Sequence, residues 1–180
     1  MANILVVTGS VRPNSVNAKI VPLVEEAIKK RGATPILADL GKINLPFFDA
    51  PLAPSSPDFK PTNEAATAWT NQVKDADAVI FVTPEYNHTL SPLQINAIDW
   101  IGKEWEEKTV GLVGYGWTSG AAQAHATARE ALAVNLKANV IDTQANIFFM
   151  KDINPDGSLA ESSHANEYID AVVTAVLNNK

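Results

Sequence analysis

Five short apolar runs, rich in β-branched residues, recur along the chain: Ile4 to Val7, Thr34 to Leu37, Ala78 to Val82, Val110 to Val113, and an interrupted run from Val140 to Phe149. They read as strands. The first, third and fourth are nearly continuous in apolar character, the pattern of a parallel strand covered on both faces. Between them the apolar spacing turns helical. Val16, Ile20, Leu23, Val24, Ala27 and Ile28 form one helix face, which Gly32 stops. Ala65, Ala68, Trp69, Gln72 and Val73 sketch a second helix, and Leu93 to Ile101, Ala121 to Lys137 and Ala165 to Leu177 supply three more. Strand alternating with helix implies βαβ units, a parallel sheet and right-handed crossovers. A barrel would need eight such units and about 250 residues, so an open doubly wound α/β sandwich is the expected architecture.

Length then fixes the organisation. With 180 residues and no internal repeat, low-complexity tract or shift in composition, residues 1–180 are expected to form a single domain. Pro46, Pro51, Pro54, Pro57 and Pro61 mark Asn44 to Pro61 as a long surface loop, expected to be a functional flap or a partner surface. The 46% hydrophobic and 19% charged fractions are those of a globular protein. The formal net charge of -6 argues against nucleic acid and anionic membrane as general partners. Met1 to Val7 does not read as a signal peptide, and no apolar run approaches the roughly 18–20 residues needed to span a bilayer. A cytoplasmic protein is the expectation. The absence of cysteine removes thiol chemistry and cysteine zinc sites.

In an open parallel sheet, ligands bind beyond the carboxyl ends of the strands, where strand order reverses. The loop after the first strand, Thr8 to Asn17, opens directly into a helix. Gly9 offers a tight turn, Ser10, Ser15 and Asn17 offer short donors, and Arg12 adds a charged fork beside free helix N–H groups. These make an anion cradle suited to a phosphate monoester; the alternative is an ordinary strand-to-helix turn with Asn14 or Ser15 as N-cap. It is neither a Walker A loop nor a G-x-G-x-x-G turn. After the third strand, Pro84, Glu85, Tyr86, Asn87 and His88 crowd polar and aromatic groups together, which suits recognition of a flat heterocycle. After the fourth, Gly114 to Gly120 forms a glycine-rich turn in which Gly116 and Gly120 would allow close approach to a ligand ring and Trp117 would either shield that ring or simply pack. His88, His125 and His164 share no metal-ligand spacing, so no metal site is expected.

These residues carry a resemblance. Gly9-Ser10-Val11-Arg12-Pro13-Asn14-Ser15 matches a Gly-Ser-x-Arg-x-x-Ser motif, and Pro84-Glu85-Tyr86-Asn87 with Asn96-Ala97-Ile98-Asp99-Trp100 matches a second, longer one. On both, the chain resembles the NADPH-dependent FMN reductase family of flavodoxin-like proteins, which includes quinone, azo-dye and chromate reductases. The resemblance implies a flavodoxin-like three-layer sandwich, a five-stranded parallel sheet of order 2-1-3-4-5, and noncovalent FMN. Ser10, Arg12, Ser15, Val16 and Asn17 would hold the phosphate. Pro84, Glu85, Tyr86 and Asn87 would border the isoalloxazine, with Tyr115 and Gly116 at its pyrimidine side. NADPH or NADH would reduce the flavin at N5, and a small-molecule acceptor such as a quinone, azo compound, free flavin or metal oxyanion would take the electrons, with no protein acid or base required. The alternative is an FMN-binding electron carrier without efficient NAD(P)H turnover. Members of the family are usually homodimers or homotetramers whose partner chain helps wall the site. With no second domain available, lid and pocket walls are expected from the Asn44 to Pro61 loop or another subunit. Departures cluster away from the phosphate loop: Gly114-Tyr115-Gly116-Trp117 replaces Ser-Tyr-Gly-Gly, an arginine of the next turn is missing, Ile95 stands where a lysine is usual, and His88-Thr89-Leu90-Ser91-Pro92 replaces Gly-Ser-Ile-Pro-Gly.

Overall fold

The computed structural model describes residues 1–180. Five strands, β1 (Asn3–Thr8), β2 (Thr34–Ala38), β3 (Ala78–Pro84), β4 (Thr109–Gly116) and β5 (Asn139–Phe148), form one sheet of order β2-β1-β3-β4-β5. Every pairing is parallel. The helices are α1 (Asn17–Lys30), α2 (Leu40–Ile43), α3 (Glu64–Asp75), α4 (Pro92–Asp99), α5 (Ala122–Arg129) and α6 (Ala165–Asn179).

The period-2 geometry of strands explains how so few polar residues are needed inside. Ile4 and Val6 of β1, with Ile80 and Val82 of β3, face α1 and α6. Leu5 and Val7, with Val79 and Phe81, face the opposite layer, which holds Trp69, Trp100 and Trp105. Each core contains 22 buried residues, so the sheet is covered evenly on both faces. β3 and β4 are buried at every position, whereas the edge strand β2 leaves Ile36 and Leu37 exposed.

Several local expectations change. On α3 the buried face is Ala66, Trp69, Thr70 and Val73, not Ala65 and Ala68, which the turn of the helix sends outward. The one-turn helix α2 is too short to leave a periodic signal; Asp39 caps it by accepting from the Gly41 and Lys42 N–H groups. The stretch after Ala121 is α-helical only to Arg129 and continues as a wider π turn over Glu130–Asn135. At the start of α1 neither Asn14 nor Ser15 is the cap. Asn14 is left-handed (φ 57°), and Val16 occupies the cap position without a side-chain hydrogen bond.

The proline-rich segment is not a flap over the strand ends. It is a strap running down α4. Asn96 Nδ2 donates to the Pro46 carbonyl, Phe48 N–H donates to Asn96 Oδ1, and Trp100 Nε1 donates to Pro46 at 2.8 Å. The Phe48 ring meets Trp100 edge-on at 5.1 Å. Farther down, Gly102 touches the strap so closely that a Cβ there would lie 2.0 Å from the Pro54 carbonyl oxygen. Trp69 and Trp105 donate to the Ala97 and Ile98 carbonyls, satisfying the end of α4 that its own ladder leaves open. Asn96 and Trp100, picked out by their motif, therefore hold scaffold. No helix is long and apolar enough to cross a membrane.

Candidate functional site

The loops after β1, β3 and β4 meet at the carboxyl end of the sheet. Their junction is built from close backbone approach. Gly9 is buried against β3, and a Cβ there would fall 2.6 Å from both Pro84 Cδ and the Val82 carbonyl oxygen. Its requirement for glycine comes from that contact and not from a turn. Gln94, buried on α4, donates to the Val82 oxygen and to Val7 beneath it. Asn17 is 2% exposed and fully engaged: its Nδ2 donates to the Val82 carbonyl and its Oδ1 accepts from Gly9 N–H. Sequence reasoning treated Asn17 as a free donor, whereas its side chain binds loop to strand.

What remains free in the first loop is cationic and donor-rich. The chain has three arginines. Arg31 pairs with Asp170, and Arg129 donates to the Val140 and Ile141 carbonyls and stands 3.5 Å from Asp142. Arg12 alone is exposed without such a partner. The N–H groups of Val16 and Asn17 make no backbone hydrogen bond. Ser10, Arg12, Ser15 and Asn17 line one cleft of about 590 Å³, whose far wall carries Glu25 and the α2 cap Asp39. Lys42 sits 3.6 Å from Asp39 and offsets it.

Two tyrosines join this loop to its neighbours. The Tyr86 hydroxyl lies 2.9 Å from Ser10 Oγ, bridging the first and third loops. Tyr115 is 4% exposed beneath them. Burial, reinforced by Tyr86, pushes its phenol above the ordinary value, against the opposing pull of Asn17 and Arg12, so it stays a protonated donor.

Glu85 connects the third and fourth loops. Its carboxylate, with the side chain 4% exposed, accepts from Ser119 Oγ at 2.7 and 2.6 Å and from the Gln123 and Ala124 N–H groups at the start of α5. Burial works against ionisation most strongly, but Ser119, the two N–H groups and neighbouring His88 together outweigh it and hold the carboxyl below its usual range. Glu85 N–H donates to the Tyr115 carbonyl. The Glu85 side chain is thus committed to the scaffold. Ser119 had no sequence signal beyond a glycine-rich turn; its role depends on a carboxylate 34 residues away.

The remaining turn residues are also placed. On the side a Cβ would occupy, Gly116 faces Glu85 Cβ and the Ala121 N–H, and Gly120 (φ +58°) faces the Phe148 ring. Trp117 stacks on Phe149 at 5.0 Å and remains 65% exposed. Tyr86 and Thr89 exchange backbone hydrogen bonds across Asn87 and His88, both left-handed (φ 49° and 60°). Such a reversal favours Asn-Gly, and a histidine in its second position costs about 1–2 kcal/mol. His125 is buried, and no group of three or more His, Asp or Glu stands together to hold a metal ion.

Comparison with known proteins adds four findings. The model of a family described as NADPH-dependent FMN reductase matches residues 2–150. An NAD(P)H-dependent FMN reductase, ntnL, from Nectria sp is 32% identical over 174 residues, covering 91% of this chain and 86% of that protein. A quinone reductase of Escherichia coli K12 is 33% identical over 103 residues, 56% of this chain and 50% of that one. Among solved structures, the flavoenzyme NAD(P)H:(acceptor) oxidoreductase FerB from Paracoccus denitrificans superposes with a TM-score of 0.77 at 23% identity, over 99% of each chain.

Proposed function

The chain belongs to the NADPH-dependent FMN reductase family, and on that premise we propose that it is a cytoplasmic oxidoreductase that moves electrons from NAD(P)H by way of FMN to quinone-like acceptors. An oxidoreductase using FMN and a nicotinamide donor is what the family supports; the acceptor is our reading. The observation that carries it is the Arg12 cradle. A phosphate needs donors not already paired to a carboxylate, and Arg12 is the one arginine left without such a partner, beside two N–H groups that make no backbone hydrogen bond. The donor set fits a phosphate monoester.

Ser10, Arg12, Ser15 and the N–H groups of Val16 and Asn17 would hold the phosphate. Pro84, Glu85, Tyr86, Asn87, Tyr115 and Gly116 would border the ring, Glu85 through its backbone carbonyl because its carboxylate is spent on Ser119 and α5 and its N–H on Tyr115. Bound FMN would supply the redox chemistry, taking a hydride equivalent from NAD(P)H and releasing electrons to the acceptor. The protein fixes the loops before any ligand arrives: Asn17, Gln94 and Glu85 tie the three strand ends together, so little ordering entropy remains to be lost on binding. Tyr115, kept protonated by burial, adds an O–H donor near Arg12, and the Tyr86 hydroxyl stands against Ser10.

We also read the chain as a homodimer or homotetramer. Val11, on the loop after β1, and Trp117, on the loop after β4, stand exposed at the strand ends, and Phe47 stands exposed on the strap. Sedimentation that returned a monomer under all conditions would refute this.

Titration with FMN, followed by anaerobic addition of NADPH and then NADH, tests the whole reading. Binding with bleaching is the expected result. Absence of binding overturns the reading, and binding without bleaching leaves an electron carrier. Arg12→Ala should weaken FMN by about 1.5–3 kcal/mol, roughly 10- to 150-fold, the scale of a charged hydrogen bond. An unchanged Kd would place the phosphate elsewhere.

A further inference from the structure

We propose that His88 is the proton donor to the acceptor, which adapts the site to quinones and other two-electron acceptors that must gain a proton. The inference rests on the flavin reading above. Three observations converge on it. His88 holds a left-handed backbone (φ 60°) of the kind that favours glycine, so the turn carries an unfavourable residue. Its side chain is 68% exposed, directed away from any packing role. Its Nδ1 stands 3.4 Å from Glu85 Oε1, a carboxylate that is itself buried and pinned by Ser119 and the start of α5.

That arrangement is a carboxylate–imidazole pair with one end fixed. Nδ1 is the ring nitrogen beside the buried carboxylate, which leaves Nε2 for exchange with a bound molecule. The turn bearing it adjoins Tyr86 and Asn87, on the loop assigned to the ring border. Among the groups packed against this turn, Glu85 is the ionised one facing His88. α5 presents Thr127 beside Thr89 and, behind Glu85, the buried His125, with Arg129 beyond it.

The chemistry balances. A quinone takes one hydride equivalent, two electrons and a proton, that originates in NAD(P)H; this makes the O–H bond at one oxygen and leaves the other anionic. At that second oxygen a new O–H bond forms as the Nε2–H bond of the His88 imidazolium breaks. The neutral imidazole regains its proton from water. An acceptor that takes electrons without bonding a proton, such as ferricyanide, has no use for this donor.

The test uses FMN-loaded protein reduced anaerobically with NADPH, then mixed with 1,4-benzoquinone or with ferricyanide. In His88→Asn, a residue that tolerates the same backbone, the ratio of quinone to ferricyanide reoxidation rates should fall by ~100-fold at neutral pH and lose its dependence on pH. His88→Gly should show the same loss, recover on addition of free imidazole, and melt ~2–4 °C higher than the parent. An unchanged ratio with an unchanged pH profile overturns the proposal. Failure of the parent protein to bind FMN or to be reduced by NADPH would instead overturn the flavin reading, and it appears before any variant is made.

Discussion

Trp100→Ala is expected to cost about 3–5 kcal/mol of folding stability, the range for truncating a buried tryptophan. Trp100 is fully buried, and the substitution removes three things together. The indole volume is lost from the layer that also holds Trp69 and Trp105. The Pro46 carbonyl loses one of two donors, retaining Asn96. The edge-on contact with Phe48 disappears. Because the strap has no regular secondary structure between α2 and α3, those contacts are what hold it, and limited proteolysis should begin to cut within residues 44–63. Chemical denaturation and mapping of the first cleavage site check both parts. A variant that is destabilised yet uncut there would show that the strap is held by something other than α4.

A second large effect concerns acid. His125 is 1% exposed, and both ring nitrogens lack a hydrogen-bond partner, as does the nearby Asn146 Oδ1, which approaches without good bonding geometry. Burial is the main reason its pKa falls to about 4 from 6.5; Asn146 and Glu85 oppose the fall and Arg129 assists it. The unfolded chain therefore takes up this proton first as pH drops. Stability due to neutral His125 is complete above about pH 6.5 and is lost between there and about pH 4. The difference corresponds to ~3 kcal/mol. Glu85 acts in a different window: its lowered pKa contributes stability above its ordinary 4.5 that disappears only as pH falls through the folded value below it. Denaturant midpoints measured from pH 7 to 4 should show the first loss, and His125→Gln should abolish that slope whatever its cost at neutral pH. A flat profile in the parent would mean that the imidazole is solvated or protonated in the fold.

The pattern of the chain made most of the architecture legible for a physical reason. β1, β3 and β4 are buried on both faces, so their composition is nearly pure signal, and order 2-1-3-4-5 accompanied the family motifs. Helix α2 escaped because one turn has no period. The direction of the strap escaped because it is set by Asn96 and Trp100, 50 and 54 residues from Pro46. At the site, residue types were readable but their employment was not. Asn17 and Glu85 carry polar groups that suit a ligand, yet Val82 and Ser119 claim them first. Arg12, by contrast, meets no protein group that claims it, so its guanidinium stays available for the role proposed above.

The distribution of the four indoles gives the molecule an optical division of labour. Trp69, Trp100 and Trp105 are fully buried around α4, while Trp117 is 65% exposed at the mouth of the strand-end junction. A small aqueous quencher reaches Trp117 and none of the others, so the quenchable part of the emission reports on the mouth and the shielded part on the scaffold. Access to the mouth and loosening of the strap can be followed separately in one cuvette, with no added label.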